Sequence, residues 1–290
     1  MDESTVLKKR IRKILIHLFI YAFTAVLMFP LFWMLMTSFK PTEEWVTFPP
    51  TWIPKAPTIL NYYFIIFGNP GKSFGRPFPS AMIPYLNSIL IAGLSTLIAV
   101  GISIFASYSV SRFRTGGPSF LISVIMPRMF PPMAMIIPMM IFFRLIGAID
   151  TYWGLIIVYI GFTLPYSVLM LKGFMDNVPK EYMEAGMLDG LSDWQILYKI
   201  YTPIIKNGLM TTALFLFILN WTEYTFVLTL TSRGVETITI ILAKLFSNEA
   251  GTYYGPQSAL GILAAIPTII FGILIHKYLA YGFTFGSIKR

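Results

Sequence analysis

The residues best suited to act on other molecules are concentrated in one polar segment of this hydrophobic chain, between Pro179 and Pro203. The segment reads PKEYMEAGMLDGLSDWQILYKIYTP and carries carboxylates, small residues and a glycine at a turn position. The rest of the sequence offers no catalytic chemistry: it has no cysteine, two histidines far apart, and no GxxxxGKS or GxxxxGKT phosphate loop. The segment is therefore predicted to form a contact surface, and any nucleotide must bind another chain.

This segment carries the signals of two short helices that meet at a glycine. Glu181 lies in the first turn of the first helix, where a carboxylate meets the positive end of the helix dipole. Gly190 fits the left-handed residue that ends this helix. Ser192 and Gln195 form a capping box that opens the second helix, which Pro203 is expected to close. The segment is thus predicted to be a compact hairpin, called the 179–203 hairpin below.

The elements around this hairpin are predicted to be membrane helices. The 290 residues are 56% hydrophobic and 12% charged, with a mean hydropathy of +0.70, whereas soluble domains carry about twice that share of charge. The first apolar stretch lacks a small-x-small cleavage site, which favours a mature membrane helix over a signal peptide. Six stretches are long enough to cross a ~30 Å hydrocarbon core, at residues 14–36, 82–110, 119–143, 153–173, 208–230 and 257–277.

The distribution of basic residues sets the predicted orientation. Most of the 22 lysine and arginine residues lie at the termini, after the second span and around the 179–203 hairpin. The positive-inside rule assigns these segments to the cytoplasm. The net charge of +9 is accordingly expected to face anionic lipid, and nucleic acid is not expected as a partner.

Two long loops and one proline-rich span complete the predicted architecture. Residues 37–81, rich in Pro, Gly and aromatics, are expected to form an irregular, packed extracytoplasmic loop. Residues 231–256 form the other such loop, with a short membrane-surface helix predicted from Thr237 to Phe246. Proline removes backbone hydrogen bonds from a helix, so the third span is predicted to be bent at Pro127, Pro131, Pro132 and Pro138.

The hairpin resembles the EAA loop of the membrane subunits of ATP-binding-cassette (ABC) importers. The residues that carry the likeness are Glu184, Ala185, Gly186, Asp189, Gly190, Ile200 and Pro203. The sequence departs from the family pattern at Gly186, where Ala is usual, at Thr202, where Leu is usual, and at Asn207, which replaces a second proline. Ala185 and Gly186 are expected to form a small-residue face that another backbone can approach. The resemblance implies that the residues coupling this chain to an ATPase subunit are Glu184, Ala185, Gly186, Asp189, Gly190 and Pro203.

Further stretches resemble one branch of this family, the permeases of carbohydrate importers of the maltose/glycerol-phosphate type. This resemblance covers nearly the whole chain. Thr37–Pro41 with Asn61–Tyr62 matches that family after its first span, and Asn87–Ser88 running to Ala106–Phe113 matches its second span. Residues 281–289 resemble its Gly-x-x-x-Gly-x-x-Lys tail. That tail makes Gly286 and Lys289 secondary coupling candidates.

Membership would imply an all-α integral membrane protein with six transmembrane helices of the type I ABC importer permease (MetI-like) fold. Residues 1–13 would be a cytoplasmic N-terminus, and 14–290 the transmembrane domain with its coupling loop at 174–207. The protein would be multi-pass in a prokaryotic plasma (inner) membrane, with both termini cytoplasmic, and not itself an enzyme.

The resemblance also implies a set of partners. These are a homologous second permease, two ATP-binding-cassette subunits, an extracytoplasmic solute-binding protein that meets the 231–256 loop, a sugar substrate and the lipid bilayer. The chain itself is expected to bind no cofactor and no metal, because ATP and Mg would lie on the ATPase subunits.

Four polar residues within or beside the spans are candidates for the transport pathway, since such groups are costly in a membrane: Asn87, Arg128, Asn220 and Glu223. Asn87 also suits a hydrogen bond between helices. Asn220 and Glu223 equally suit packing at the membrane interface. Arg128 is expected to pair with a carboxylate such as Glu223 or to extend towards the membrane surface.

Two other functions share parts of this pattern. An ABC importer for another solute, such as glycerol phosphate, would have the same hairpin and a different pathway. A secondary transporter would need paired intramembrane acids and inverted repeats, which are not found in the sequence.

Overall fold

The fold is entirely helical, with turns and loops, over the residues that the computed structural model describes, which are 3–68, 79–129, 131–232, 234–245 and 253–284. A 3₁₀ turn spans Thr42–Glu44, and a π-helical segment spans Leu197–Tyr201. The α-helices are α1 Glu3–Ser38, α2 Leu60–Phe67, α3 Met82–Phe113, α4 Gly117–Met129, α5 Pro132–Leu145, α6 Tyr152–Asp176, α7 Glu181–Leu188, α8 Asp193–Ile196, α9 Thr202–Ile204, α10 Lys206–Trp221, α11 Thr225–Leu230, α12 Ile238–Leu245 and α13 Tyr254–Thr284.

Within the described residues, four single helices are long and apolar enough to cross a membrane, namely α1, α3, α6 and α13. Two bent pairs bring the number of spans to six if each pair counts as one. The first pair is Ser119–Met129 with Met133–Leu145, bent by 93°, so the predicted bend in the third span is confirmed. The second is Asp193–Ile204 with Lys206–Trp221, bent by 77°.

The predicted span at 208–230 is not one continuous helix. α10 ends at Trp221, and three residues separate it from α11. Side chains stabilise this break: the Thr222 hydroxyl donates back to the last turn of α10 at 2.9 Å, and the Glu223 carboxylate accepts from the Phe226 N–H at 3.1 Å. Hydropathy does not register such short-range bonds, so the apolar residues on both sides appear as one span.

The two long loops differ in how well the sequence predicted them. Residues 37–81 hold the 3₁₀ turn and α2, so the expectation of an irregular loop is wrong over Leu60–Phe67. The short helix predicted from Thr237 is confirmed as α12, Ile238–Leu245. Phe246 lies outside the described residues.

The chain divides into two compact units, of which one comprises residues 1–81 and 244–263. In this unit the buried Asn61 side chain donates to the carbonyls of Ser38 and Lys40, at 2.9 Å each. The last carbonyls of an α-helix have no partner within the helix. Asn61 therefore satisfies the backbone where α1 ends.

The other unit comprises residues 82–243 and 264–290, and α3 is its central helix. α6 and α10 both pack on α3, where small side chains let membrane helices approach closely. The Ser107 hydroxyl of α3 donates to the Val168 carbonyl of α6 at 2.9 Å. Buried small residues recur on α3 every three or four positions, at Ser88, Ala92, Ser95, Ala99, Ser103 and Ser107.

One carboxylate fastens the turn before α6 to the loop after α11. Asp150 accepts from the Ser232 hydroxyl at 2.7 Å and from the N–H groups of Ser232, Gly234 and Val235 at 3.2, 2.9 and 3.0 Å. Burial alone would raise the pKa of Asp150, but these bonds to the ionised form outweigh burial and hold the pKa well below its ordinary value. We call this arrangement the Asp150 clasp.

Removing this carboxylate is expected to loosen the loop without unfolding the helices. In Asp150→Ala the amides of Ser232, Gly234 and Val235 should exchange about tenfold faster or more, because hydrogen bonds to charged groups are worth ~1.5–3 kcal/mol. Hydrogen–deuterium exchange read by mass spectrometry measures this. Equal exchange in Asp150→Ala and in the control Glu43→Ala, which removes an exposed carboxylate, would contradict the clasp.

The lowered pKa also predicts how the clasp responds to acid. A carboxylate with a depressed folded-state pKa contributes stability above its ordinary pKa and loses it as pH falls through the folded-state value. The protection of the Ser232, Gly234 and Val235 amides should therefore persist as pH falls through about 4, and its loss near that pH would exclude the clasp.

Candidate functional site

The turn of the 179–203 hairpin is fixed by backbone hydrogen bonds. Gly190 follows α7 in the left-handed conformation, at φ +76°. Its N–H donates to the Met187 carbonyl at 3.0 Å, and the Leu191 N–H donates to the Gly186 carbonyl at 2.9 Å. This is the Schellman arrangement, so the predicted role of Gly190 in ending the helix is confirmed.

The second helix opens as predicted and extends further. The Ser192 N–H donates to the Gln195 side-chain oxygen at 3.0 Å, and the Gln195 N–H donates to the Ser192 hydroxyl at 3.4 Å, which completes the capping box. Helical backbone then continues through the π-helical segment to Ile204. The helical stretch ends at Ile204, one residue after Pro203 and before the 77° bend to α10, so the prediction that Pro203 closes this helix is confirmed.

The hairpin has an outer and an inner face. Gly186 lies on the inner one, because it is buried and a Cβ on it would stand 2.8 Å from Ile200 Cδ1. The expected small-residue face of Ala185 and Gly186 is therefore wrong, since adjacent residues do not share a helix face. The remaining predicted contact residues are exposed: Glu184, Ala185, Asp189, Gly190 and Pro203.

The inner face packs on the neighbouring ends of α3 and α6. Buried residues of these elements form one apolar cluster, made of Tyr108, Met175, Val178, Ile196, Leu197, Tyr201 and Ile205. The Tyr108 and Tyr201 rings lie 5.1 Å apart in a T-shaped contact. Arg112 of α3 donates to the Met175 and Val178 carbonyls, and its guanidinium lies 4.5 Å from the centroid of the Tyr201 ring. The hairpin is thus anchored to two predicted spans.

Two of the four pathway candidates are engaged in packing. Asn87 donates to the Glu236 carbonyl at 2.9 Å and accepts from the Tyr152 hydroxyl at 2.9 Å. The buried Asn220 side chain donates to the Thr96 hydroxyl of α3 at 3.1 Å. Both amides therefore join structural elements, as the alternative for Asn87 predicts.

The two ionisable candidates do not pair. The Glu223 carboxylate caps α11, and no ion pair joins it to Arg128, although the structure describes both residues. The Arg128 guanidinium lies 3.4 Å from the centroid of the Phe162 ring and 4.1 Å from that of Tyr166. Its buried Nε has no hydrogen-bond partner in the described part of the chain. Arg128 thus packs against aromatic rings, and among the four pathway candidates its Nε is the buried polar atom left without a hydrogen bond in the described residues.

The structure also adds residues to which the sequence assigned no role. Arg112 occurs in a family signature, but its link to Tyr201 spans about ninety positions and has no local signal. The signal that the sequence offers is a cation at the end of a span together with an aromatic-rich polar segment. Gly286 and Lys289, the secondary coupling candidates, lie outside the described residues.

The inner position of Gly186 predicts which substitutions the hairpin tolerates. Gly186→Ala should leave thermal stability within about 1 kcal/mol of the original, because the Ile200 methyl can move aside and Ala gains helix propensity. Gly186→Leu should lower the unfolding temperature in detergent, because it separates the two helices. Gly173→Leu is the matched control, since a Cβ on this helical glycine meets no atom within 4 Å; equal effects of the two leucines would contradict the packing.

Comparison with known proteins identifies relatives over nearly the full length. Residues 99–283 match the model of the family described as binding-protein-dependent transport system inner membrane component. The chain is 32% identical to the inner membrane ABC transporter permease protein YcjP of Escherichia coli, over 92% of this chain and 93% of that protein. It is 31% identical to the trehalose/maltose transport system permease protein MalG of Thermococcus litoralis, over 96% of this chain and 98% of that protein.

A solved structure has the same fold. It is a chain in the crystal structure of a bacterial ABC transporter involved in the import of the acidic polysaccharide alginate, with a TM-score of 0.77. The likeness covers 96% of this chain and 98% of that chain at 18% identity. At this identity the comparison concerns the fold alone.

Proposed function

Because the chain belongs to the binding-protein-dependent transport system inner membrane components, we propose that it works as a permease that moves a sugar or oligosaccharide in an ATP-driven ABC importer. Its membership confirms the predicted family, and the helical architecture confirms the predicted fold class. The chain is a transporter subunit and not in itself an enzyme.

The geometry of the hairpin carries the proposal that this subunit couples to an ATPase. The two helix ends that meet at the turn are fixed by the Schellman bonds and the capping box, and the predicted contact residues other than Gly186 are exposed. The opposite face is packed on α3 and α6. A rigid body with one free face and one face on the spans can transmit a push, whereas a flexible loop would absorb it.

The proposed cycle needs the partners that the family implies. ATP and Mg bind two ATPase subunits, whose closure carries the hairpin and opens the spans of this chain and a second permease outwards. A solute-binding protein then delivers the sugar near the 231–256 loop, and hydrolysis resets the spans. In this proposal Arg128 contributes to the pathway and Lys289 to contact with the ATPase subunits.

Names of relatives favour a saccharide over other solutes. The Thermococcus litoralis relative is a trehalose/maltose permease, and a permease of Mycobacterium tuberculosis that is 31% identical over 90% of this chain transports trehalose by its name. We therefore propose a disaccharide of this class as substrate. Glycerol phosphate is the alternative solute, and the family argues against a secondary transporter.

The coupling proposal is tested by straining the turn. Gly190→Gln places a side chain at φ +76°, where a Cβ meets no atom within 4 Å, so the change acts through backbone strain. We expect the ATPase subunits to dissociate, or uptake to stop, while the permease still inserts into the membrane. Co-purification with a tagged permease and ATP-driven uptake into vesicles measure both.

Gly147→Gln is the matched control for this experiment. Gly147 has φ +67° and follows α5 in the same Schellman arrangement, with its N–H bonded to the Arg144 carbonyl and the Ala148 N–H bonded to the Phe143 carbonyl. This variant carries a similar strain outside the hairpin, so the ATPase subunits should remain bound. Normal co-purification and uptake in Gly190→Gln would exclude the hairpin as the coupling element.

Substrate class is tested by uptake. The complete complex in vesicles, with ATP and the binding protein, is expected to accumulate labelled trehalose or maltose faster than glycerol 3-phosphate. A preference for glycerol 3-phosphate would overturn the saccharide assignment and leave the ABC importer family intact.

A further inference from the structure

The end of α3 carries a cation whose role the proposed transport cycle does not assign. The Nη2 atom of Arg112 donates to the carbonyls of Met175 and Val178, at 2.7 Å for the second. These carbonyls belong to the last turn of α6 and to the link towards α7, and that of Met175 also accepts from the Val178 N–H at 3.1 Å. A cation at a helix C-terminus also interacts favourably with the helix dipole. Arg112 therefore caps α6 from the neighbouring helix.

The same guanidinium also contacts the hairpin. It lies 4.5 Å from the centroid of the Tyr201 ring, in the π-helical segment. The Tyr201 ring is fully buried and meets Tyr108 of α3 edge to face. Arg112 of α3 thus binds the end of α6 through hydrogen bonds, and it contacts the hairpin through the face of its guanidinium, which lies over the Tyr201 ring.

Two further contacts lie on either side of Arg112. About two turns before Arg112 on α3, the Phe105 ring lies 5.3 Å from the Trp194 ring of the hairpin. Next to Arg112, the Ser111 hydroxyl donates to Asp176 of α6 at 2.5 Å, and Lys172 forms an ion pair with the same carboxylate. The junction therefore joins the hairpin, α3 and α6 at several levels, with Arg112 as the residue that contacts all three.

We infer that Arg112 is a positioning residue that binds the 179–203 hairpin to α3 and α6, so that the hairpin and both spans move as one body. This inference rests on the coupling role proposed above for the hairpin. It assigns the transmission of that movement to a side chain that does not touch the ATPase contact face.

The geometry requires arginine rather than a positive charge alone. A guanidinium can lay its planar face on an aromatic ring while one of its nitrogens donates to two carbonyls, whereas the lysine ammonium is a single point charge that cannot occupy both positions at once. Arg112→Lys should therefore keep the charge and lose the three-way contact. Arg114, which is exposed two residues further on, provides the matched control Arg114→Lys.

Transport measured against ATP hydrolysis separates coupling from folding. In the complete complex reconstituted in vesicles, Arg112→Lys is expected to lower the sugar molecules moved per ATP hydrolysed by about fivefold or more, given that one charge-assisted hydrogen bond is worth a tenfold effect or more. Arg114→Lys should leave the ratio unchanged. A merely structural role would lower transport and hydrolysis together, so an unchanged ratio in Arg112→Lys overturns the inference.

A reversible crosslink tests the single moving body directly. The chain has no cysteine, and Phe105 and Trp194 are 40% and 62% exposed. Phe105→Cys with Trp194→Cys can therefore be bridged by a short bis-thiosulfonate reagent, with each single-cysteine variant treated in parallel. If α3 and the hairpin move together, the bridged complex should transport at the rate of the treated single variants.

Transport that stops on bridging and returns after reduction would show that the two parts must move apart, which overturns the inference. The outcome is distinct from failure of the proposed function. If Gly190→Gln leaves transport normal, the hairpin does not couple to the ATPase; the crosslink instead reports whether hairpin and α3 separate during transport, whatever drives it.

Discussion

Backbone polar groups within a bilayer must find partners inside the protein, and this constraint explains where many polar side chains of the chain lie. Asn61 serves the end of α1, and Glu223 serves the start of α11. Arg112 serves the end of α6. Among these residues Glu223 is a functional candidate in the sequence, because a polar group near a span is costly unless it has a partner.

The same need for internal hydrogen-bond partners goes together with close packing of the helices. α3 has small residues where it meets α6 and α10, so backbone approaches backbone and single hydroxyls such as Ser107 can bridge two helices. At the hairpin the contact changes character, because aromatic rings and a guanidinium replace the small side chains. Large interlocking groups resist sliding, which suits the coupling role proposed for the hairpin.

The sequence predicts what depends on neighbours in the chain. The left-handed Gly190 and the capping box at Ser192 were both predictable, because each rests on residues within five positions of one another. Most of the spans followed from composition, and the bend in the third followed from its prolines.

Contacts between distant residues set the limit of that prediction. Gly186 faces inwards because Ile200 packs against it, and Arg112 contacts the hairpin through the Tyr201 ring. Both contacts join residues far apart in the sequence, so no local pattern predicts them. The break after Trp221 was missed for another reason: its caps are local, but apolar residues on both sides dominate the hydropathy. The expected pairing of Arg128 with Glu223 did not take into account that a carboxylate can instead accept a hydrogen bond from a backbone N–H at the start of a helix, as Glu223 does from Phe226.

The use of polar groups for structure has a consequence for substrate recognition. Ligand sites orient their ligand through a few well-placed polar groups among apolar and aromatic ones, and three of the four polar candidates here are already engaged by the fold. Arg128 is left, beside the Tyr166 ring, which itself lies 6.1 Å from the Phe215 ring. One cation and a few rings can guide a saccharide but offer few means of telling one from another. Within the proposed importer, discrimination between sugars should therefore rest mainly on the binding protein and the second permease, and the contribution of this chain is chiefly movement.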